Sequence, residues 1–489
     1  MARRFAPGVP DVVFGLVLVS VLLGGRYRLL NDPGTFWHLR LGRDILKTGV
    51  VPRVDGLTYT RGGEAWVDQS WLFDVGLAAV VDHAGWSGAG LLAGLGIAAV
   101  YGFLARGLVR DGGAPIVVLM VAMLAAGVGS IHFLVRPHLV TLGLVLATLR
   151  LCQRQHEAGG WRIWVVPLFM PVWANMHGGF LAGPLIVFTA GFGHAVSGDW
   201  DKARKRDVLV FCGAGLACLL AALLNPYGIG LYGHVGRLLV SSGVTELIEE
   251  YQPIPFGKPD ARAVEMMVLA MVALPTILKG RMSRYELAHA LVWLHLSLGS
   301  VRHAPLFALA GAPGLVRLLG GVREGNDGVC REMSRWSVWP GIAALGLGVW
   351  VMAGGVLTGF DGRHWPLRGM EALNDARGDL RLFHEQDWGG MVEAESRPAR
   401  LAFLDDRFEL YGKEAILRYL NALEGGPEWD AIREKEGIGL VWVRPGRGLA
   451  RRLGMEEGWK VRYRDEVSVL FEREGEKLKH ERGVLAAGE

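Results

Sequence analysis

Long apolar runs recur from the first residues of the chain to about residue 358, and they constrain its fold more than any other feature. A helix needs about 20 mostly apolar residues to cross the hydrocarbon core of a bilayer. Runs that reach or approach this length begin near residues 8, 86, 114, 137, 161, 178, 207, 262, 284, 303 and 336. The sequence therefore predicts a mainly α polytopic membrane protein with about eleven spans.

Charge divides the chain into two predicted domains. Of its 489 residues, 51% are hydrophobic, which is too apolar for one soluble domain. Charged residues are sparse within the apolar runs and dense from Asp361 onward. We therefore expect a transmembrane domain over residues 1–358 and a soluble domain over residues 359–489. The net charge of +4 is small and forms no basic stripe, so we expect no nucleic acid partner.

The C-terminal region alternates short strand-like and helical segments. The segments DLRLF (379–383), RLAFLD (400–405), GLVWV (439–443) and SVLFER (468–473) are typical of strands. Residues 412–422, 428–436 and 447–454 have helical patterns. This predicts a small C-terminal α/β domain. It contains no dinucleotide-binding or Walker A motif and no Cys/His spacing typical of a metal site.

Basic residues in the short loops indicate the orientation of the chain. Cytoplasmic loops of membrane proteins carry an excess of lysine and arginine. Here the pairs Arg106 with Arg110 and Arg150 with Arg154, and the run KARKR (202–206), fall at alternate loops. This predicts a cytoplasmic N-terminus. With an odd number of spans, the C-terminal domain is then exported.

Most polar residues that topology does not explain fall in the loops predicted to be exported. The first of these loops covers about residues 31–85 and contains Asp32, His38, Arg40, Asp55, Asp68 and Gln69. Shorter exported turns contain Arg136 and His138 in VRPH, Asn175 and His177 in WANMHGG, Glu250 in IEEYQP, and Arg302 and His303 in SVRH. A site built from these loops would lie at the membrane surface, open to lipid from the side.

Asp32 has two interpretations from the residues alone. It precedes a helix-breaking Pro33-Gly34 and the amphipathic stretch FWHLRLGRDILKTG (36–49), which would lie along the membrane interface. The acid is then either a catalytic base or an N-cap of that helix. His38 lies in the first turn of the same helix and either orients a phosphate or packs against Trp37.

The cationic turns also have two interpretations. Guanidinium and imidazolium groups at Arg136, His138, Arg302 and His303 could hold a lipid-linked phosphate. Alternatively, these side chains extend to lipid headgroups without a specific ligand. Two basic turns on the exported face run against the usual charge bias, which favours a functional role.

The remaining candidates are polar residues that are also common in turns. Asn175 and His177 either face a cavity or complete a turn and a helix cap. Glu250 either positions an acceptor or belongs to a solvated acidic turn. The sequence alone leaves these alternatives open.

Several motifs resemble one superfamily of membrane enzymes. They are DPGTFWHLRLGRDIL, VPRVDGLTYTRGGEAWVDQSWLFDV, RPH, WANMHGGF, NPYG and FLDDRFELYG. Together they resemble a large bacterial group of glycosyltransferase-like proteins of the GT-C superfamily, over nearly the whole chain. That superfamily includes the oligosaccharyltransferase catalytic subunit, protein O-mannosyltransferases and the lipid A aminoarabinose transferase, which use polyprenyl-phosphate-linked sugar donors.

The resemblance implies a function and a location. It implies a GT-C type helical bundle in the bacterial cytoplasmic (inner) membrane, with the C-terminal domain in the periplasm. The partners would be a polyprenyl-phosphate-linked sugar, a glycan, lipid or protein acceptor, and membrane lipids. The alternatives are a non-catalytic scaffold that retains the fold and a transporter, although a transporter needs ionisable residues within its spans and His295 is the nearest candidate.

The resemblance also implies roles for residues of the first loop. GT-C enzymes place an essential Asp in their first exported loop, a position that Asp32 occupies, with Asp68 as the alternative acid. Substrate contacts are then expected from His38, Arg40, Asp55, Gln69, Arg136, His138, Asn175, His177, Glu250, Arg302 and His303. Related sequences tend to have a second acid close behind the first. This chain has Asp32-Pro33-Gly34 instead, which leaves the cofactor, including a divalent metal, unknown.

The predicted topology can be tested directly. A reporter that is active only outside the cytoplasm should work when inserted near Gly62 or fused after Glu472, because both positions are expected on the exported side. The same reporter inserted in the KARKR run should be silent. Activity of a cytoplasm-only reporter near Gly62 would contradict the predicted orientation.

Overall fold

The chain is mainly helical and divides into two compact units in a computed structural model that describes residues 5–240, 243–278, 280–320 and 332–474. The first unit comprises Met1–Asp32, Leu41–Val51 and Val67–Gly359. The second comprises Pro33–Arg40, Pro52–Trp66 and Phe360–Glu489. The division at residue 359 follows the change in charge density. Two segments of the predicted exported loop nevertheless belong to the second unit.

Helices make up almost all of the first unit. In chain order they are α1 (Val9–Val19), α2 (Gly34–Thr48, which contributes residues to both units), α3 (Trp71–Arg110), α4 (Pro115–Gly129), α5 (His138–Ala158), α6 (Val166–Met176), α7 (Ala182–Ala195), α8 (Lys202–Ala221), α9 (Gly230–Val240), α10 (Arg262–Ile277), α11 (Arg284–Gly299), α12 (Ala304–Leu318) and α13 (Trp339–Met352). Among its packed pairs are α1 with α3, α7 with α8, and α11 with α12.

Three helical segments of the described residues are long and apolar enough to cross a membrane, so the prediction of about eleven spans was wrong. They are Trp71–Arg110, Pro115–His132 and Gly178–Ala195. Helices α5 and α8 have 21 and 20 residues but are not apolar enough throughout to qualify. Other apolar runs form shorter helices, and prolines lie within some of them. Helix α6 has 11 residues and contains Pro171, and α12 has 15 residues and contains Pro313. Hydropathy along the sequence records apolar content but not where a helix ends.

The second unit contains a four-stranded mixed sheet. Its strands are β1 (Arg381–His384), β2 (Ile438–Val443), β3 (Trp459–Arg464) and β4 (Val469–Arg473), in the order β1-β2-β4-β3. Strands β1 and β2 are parallel, and the other neighbours are antiparallel. The helices are α14 (Leu367–Asn374), α15 (Gly389–Glu395), α16 (Phe408–Tyr411), α17 (Lys413–Leu423), α18 (Glu428–Glu436) and α19 (Gly448–Leu453). The predicted helices near 412–422, 428–436 and 447–454 are confirmed.

Two strand assignments differ from the sequence prediction. The segment RLAFLD is not part of the sheet, because its backbone pairs with the first loop instead: Ala402 donates to the Leu57 carbonyl (3.0 Å) and Tyr59 donates to the Ala402 carbonyl (3.1 Å). Strand β3, WKVRYR, was missed. It is a largely exposed edge strand, so its charged residues hide the apolar alternation that predicts a half-buried strand.

A buried ion cluster joins the first loop to the C-terminal part of the second unit. Arg407 Nη2 lies 2.8 Å from Asp55 Oδ1 and 2.6 Å from Asp405 Oδ2, and all three side chains are at most 2% exposed. The Arg407 guanidinium also lies 4.6 Å from the centroid of the Trp66 ring. The neighbouring Glu393 is buried as well, and burial together with Asp405 raises its pKa well above the usual range. Asp55 is therefore a packing residue of the second unit.

Replacing Arg407 by alanine should destabilise the second unit strongly. The change leaves two buried carboxylates without their cation, and breaking a buried ion pair typically costs about 3–5 kcal/mol. Hydrogen exchange measured by mass spectrometry should then show loss of protection in residues 52–66. The matched control is Arg363→Ala, which removes an arginine that is 88% exposed and should change stability by less than about 1 kcal/mol. Equal effects of the two substitutions would contradict the role of the cluster.

Candidate functional site

Four segments of the first unit meet through backbone and side-chain hydrogen bonds. The Val135 amide donates to the Leu29 carbonyl at 2.8 Å, which joins the VRPH turn to the chain before Asp32. Ser300 Oγ donates to the Glu250 carbonyl at 2.9 Å, and the Val301 amide donates to the Gln252 carbonyl at 3.0 Å. These bonds bring the IEEYQP and SVRH turns together. Arg136 Nη1 donates to Glu250 Oε1 at 2.6 Å and joins the two pairs, so the four segments form one locality.

A chain of alternating charges lies at this locality, and we name Asp32, Arg136, Glu250 and Arg302 the Arg136 cluster. Arg136 Nε lies 3.2 Å from Asp32 Oδ2, and Arg136 Nη1 lies 2.6 Å from Glu250 Oε1. Arg302 Nε lies 3.6 Å from Glu250 Oε2. The Arg302 guanidinium also lies 4.3 Å from the centroid of the Tyr251 ring, in a cation–π contact. One carboxylate thus holds two arginines from different turns.

Depth and charge differ along the Arg136 cluster. The Asp32 side chain is 5% exposed, whereas those of Arg136, Glu250 and Arg302 are 21%, 26% and 30% exposed. Burial opposes ionisation of Glu250, but Arg136 and Arg302 outweigh it and hold the pKa of this carboxyl well below its usual value. The cluster therefore keeps two permanent cations together near the surface, with Asp32 beneath them.

His177 has a defined tautomer beside this cluster. Trp173 Nε1 donates to Thr141 Oγ1 at 2.7 Å, so the Thr141 hydroxyl proton is available for His177 Nδ1, 2.8 Å away. The Gly179 amide also donates to this nitrogen at 3.2 Å. Two donors on Nδ1 place the ring proton on Nε2. Burial, then the charge of Arg302, lowers the pKa of His177 well below its usual value, so the ring is a neutral N–H donor.

His138 lies between His177 and a histidine that the sequence reasoning missed. Its Nε2 donates to the His132 carbonyl, and its ring centroid lies 5.6 Å from that of His132 and 6.4 Å from that of His177. The sequence signal that could have identified His132 was its position six residues before His138 in the segment IHFLVRPH. Tyr251, which underlies Arg302, had no such signal because its role depends on a contact between distant turns.

Two other candidates of the first unit, Asn175 and Asp68, support its turns, whereas His303 packs near an aromatic ring. Asn175 accepts from Trp71 Nε1 at 2.6 Å and donates to the Pro171 and Leu224 carbonyls at 2.6 and 2.8 Å, which favours its structural interpretation. Asp68 accepts from the Ser70 amide at 3.2 Å, just before α3. His303 lies 6.4 Å from the ring of Trp293, and its buried Nδ1 has no hydrogen-bond partner among the described residues.

Gln69 remains a candidate for ligand binding. Its Oε1 is buried and has no hydrogen-bond partner within the described ranges. The same atom would lie 2.3 Å from a β-carbon at Gly178, so the side chain packs directly against the turn that follows His177. A buried acceptor without a donor is costly, so this oxygen is a ready partner for a ligand hydroxyl.

The other first-loop candidates belong to the second unit. Arg40 Nη1 donates to the Glu393 carbonyl at 2.7 Å, and His38 is buried with its ring beside that of Trp37. Asp55 lies in the buried ion cluster. The contacts of Arg40 and Asp55 contribute to packing within that unit.

An apolar groove lies on the first unit next to Leu29. It has a volume of about 280 Å³ and runs between α1 and α4. Its lining includes Val17, Val21, Met123 and Phe133, with Arg28 as its charged residue. Leu29 also lines the groove, and its carbonyl accepts from Val135, one residue before Arg136. Leu29 thus links the lining of this groove to the VRPH turn that carries Arg136.

Among the described residues, no group of three or more His, Cys, Asp or Glu side chains is arranged to hold a metal ion. Comparison of the chain with protein-family models and with curated protein sequences finds no match.

Replacing Glu250 by glutamine should lower stability in a pH-dependent way. A hydrogen bond to a charged group contributes about 1.5–3 kcal/mol, and the substitution removes the charge that holds both arginines. Because the folded-state pKa of Glu250 is depressed, its contribution is present above the ordinary glutamate value and is lost as the pH falls through the folded-state pKa. Thermal unfolding should therefore show a deficit near pH 7 that shrinks below about pH 4.5.

The matched control for this experiment is Glu265→Gln. Glu265 pairs with Arg262 at 2.8 Å on one face of α10, and both side chains are more than one third exposed. Its substitution should change stability little at any pH. Parallel pH profiles for wild type and Glu250→Gln would contradict the assignment.

Proposed function

We propose that the protein is an integral membrane glycosyltransferase of GT-C type that uses a polyprenyl-phosphate-linked sugar donor. In this proposal it crosses the bacterial cytoplasmic membrane several times, with a cytoplasmic N-terminus and the second unit in the periplasm. The donor is bound at the exported face. The acceptor is a glycan, a lipid or a protein.

The observation that carries the proposal is that Arg136 and Arg302 share the carboxylate of Glu250 next to Asp32. Two guanidinium groups held together are suited to a phosphate, which accepts paired, charge-assisted hydrogen bonds. The Arg302 contact is the longest in the cluster, at 3.6 Å, and Arg302 is the more exposed arginine. We therefore assign the donor phosphate to Arg302 first, with Arg136 fixed between the two acids.

The neighbouring groups support the same reaction. Asp32 would accept the proton of the acceptor hydroxyl as that oxygen attacks the anomeric carbon. The bond from this carbon to the phosphate oxygen breaks at the same time, with inversion of configuration. The two arginines would stabilise the charge that develops on the departing phosphate. His177, neutral with its proton on Nε2, would add a hydrogen-bond donor.

Two features favour a donor carried by a lipid. Three helical segments of the described residues are long and apolar enough to cross a membrane. The apolar groove between α1 and α4 passes Leu29, whose carbonyl binds the turn that carries Arg136. A hydrocarbon chain in this groove would leave its phosphate near the Arg136 cluster.

A second candidate is a non-catalytic membrane scaffold. The specific observation in its favour is that the two acids and two arginines of the Arg136 cluster already neutralise one another. Four charges that neutralise one another in this way would hold four segments together without binding a ligand. The two candidates differ in whether a donor can compete with Glu250 for Arg302.

Asp32→Asn and Arg302→Ala test the proposed reaction in different steps. Asp32→Asn should lower turnover by roughly 10²-fold or more while donor affinity changes little, because it removes a proton acceptor. Arg302→Ala should lose donor binding, and Arg302→Lys should recover only part of it, because an ammonium lacks the planar fork of a guanidinium. Donor binding and sugar transfer are measured on purified protein with a pool of polyprenyl-linked sugars.

The control is Arg262→Ala. Arg262 is the first residue of α10 and is 62% exposed, so its replacement should change neither donor binding nor sugar transfer. Melting temperatures of every variant are measured in parallel. Equal donor affinity for wild type and Arg302→Ala would remove the phosphate assignment. Donor binding without transfer in the wild type would favour the scaffold, and unchanged transfer by Asp32→Asn would exclude Asp32 as the base.

A further inference from the structure

A second groove on the first unit combines arginines with an apolar wall. It has a volume of about 390 Å³ and lies between α3 and α5, which pack against each other. Arg106 and Arg110 of α3 and Arg150 and Arg154 of α5 line one part of it. The rest is lined by small and apolar residues, Ala99, Val100, Phe103, Gly143, Leu146 and Ala147.

The order of these residues along each helix separates the two parts. On both helices the apolar residues come first and the arginines follow toward the C-terminal end. Residues 99–110 cover about 16 Å of α3 at 1.5 Å per residue, and residues 143–154 cover the same length of α5. The groove therefore has an apolar half and a cationic half, like the two ends of a lipid.

Arg150 is held in the groove by a close approach of the two helices. A β-carbon at Gly107 would lie only 2.9 Å from Arg150 Cζ, so the guanidinium packs against a helix surface that has no side chain. Arg150 Nη2 also donates to Asp111 Oδ1 at 3.1 Å, and Arg150 Nη1 donates to Gln153 Oε1 at 2.8 Å. This cation is fixed in position before any ligand arrives.

The four arginines are only partly neutralised. Asp111 lies within reach of Arg150 and Arg154, and Glu157 lies 3.6 Å from Arg154. Arg106 and Arg110 have no carboxylate within 4 Å among the described residues, and the Arg106 Nε atom is buried without a hydrogen-bond partner there. Four cations face two acids, so the groove has an excess of positive charge next to an apolar wall.

We propose that this groove binds an anionic phospholipid, with its phosphate on Arg106 and Arg110 and the upper part of an acyl chain along Val100, Phe103 and Leu146. Basic pockets between transmembrane helices are suited to anionic headgroups, since the phosphate replaces the missing counter-charge and the chain covers the apolar wall. In the predicted topology this is the cytoplasmic leaflet. The site is separate from the Arg136 cluster and does not depend on the proposed transfer reaction.

The competing explanation is that these four arginines serve only to orient the protein in the membrane. Orientation in the membrane requires only that basic residues lie in a loop. It does not require them to line a cavity or to bury a guanidinium nitrogen without a partner. A binding measurement separates the two explanations because only a built site discriminates between headgroups.

The test measures lipid binding to the purified full chain in detergent by native mass spectrometry. The probes are dioleoyl-phosphatidylglycerol and dioleoyl-phosphatidylcholine, which have the same acyl chains. The wild type should bind phosphatidylglycerol about thirtyfold more tightly than phosphatidylcholine. Each arginine near an anionic headgroup is worth about fivefold in affinity, so Arg106→Gln with Arg110→Gln should weaken binding about thirtyfold, to the level of phosphatidylcholine. The matched control, Arg206→Gln, removes an arginine that is 76% exposed in α8 and should bind as the wild type does.

Two further variants keep the test informative. Arg106→Lys with Arg110→Lys keeps the charge and should retain part of the preference for phosphatidylglycerol over phosphatidylcholine. This variant remains informative if the double glutamine variant fails to fold. Gly107→Ala keeps every arginine but displaces Arg150, and it should weaken binding severalfold. Equal phosphatidylglycerol binding by the wild type and the glutamine pair would overturn the proposal. Displacement of the lipid by millimolar inorganic phosphate alone would also overturn it, because the site would then hold a soluble anion.

Discussion

The first unit is organised around one carboxylate that holds two cations. Glu250 lies within 4 Å of Arg136 and Arg302, and Arg136 in turn contacts Asp32. Each of these residues comes from a different turn, so the ion pairs also determine how those turns pack. Without Glu250, two arginines would repel each other in a partly buried place, where screening by water is weak. The contact between Asp32 and Arg136 is part of the same arrangement.

The second unit resolves a similar electrostatic problem differently. There, Arg407 is the shared ion and the two carboxylates of Asp55 and Asp405 compete for it. All three are almost fully buried, whereas the Arg136 cluster keeps Glu250 and its two arginines partly exposed. Full burial suits a cluster that holds segments together, because no ligand has to reach it. Partial exposure suits a cluster that can exchange one partner for another.

The sequence was informative where a side chain acts locally and uninformative where distant segments meet. Helix α17 was predictable because its apolar periodicity reflects one buried face, which contains Ile416, Tyr419 and Leu423. Arg136 and Arg302 could each be recognised as unusual in a turn predicted to be exported, whereas Glu250 could equally have belonged to a solvated acidic turn. Their meeting could not be foreseen, since Arg136 and Glu250 are 114 residues apart and only the packing of the helices brings them together. The same limit explains why Asp55 was expected to contact the substrate. It lies in the same predicted loop as Asp32 but belongs to the other unit.

The membership of residues 52–66 in the second unit has a consequence for the synthesis of the chain. The hydrogen-bonded partners Asp55 and Arg407 are separated by 352 residues. A ribosome adds about 5–20 residues per second, so Asp55 waits roughly 20–70 s before Arg407 is made. During that interval a carboxylate destined for full burial has no counter-ion and must stay hydrated. Residues 52–66 therefore cannot complete their buried contacts until the last quarter of the chain is made, and a chain truncated before Arg407 would never complete them.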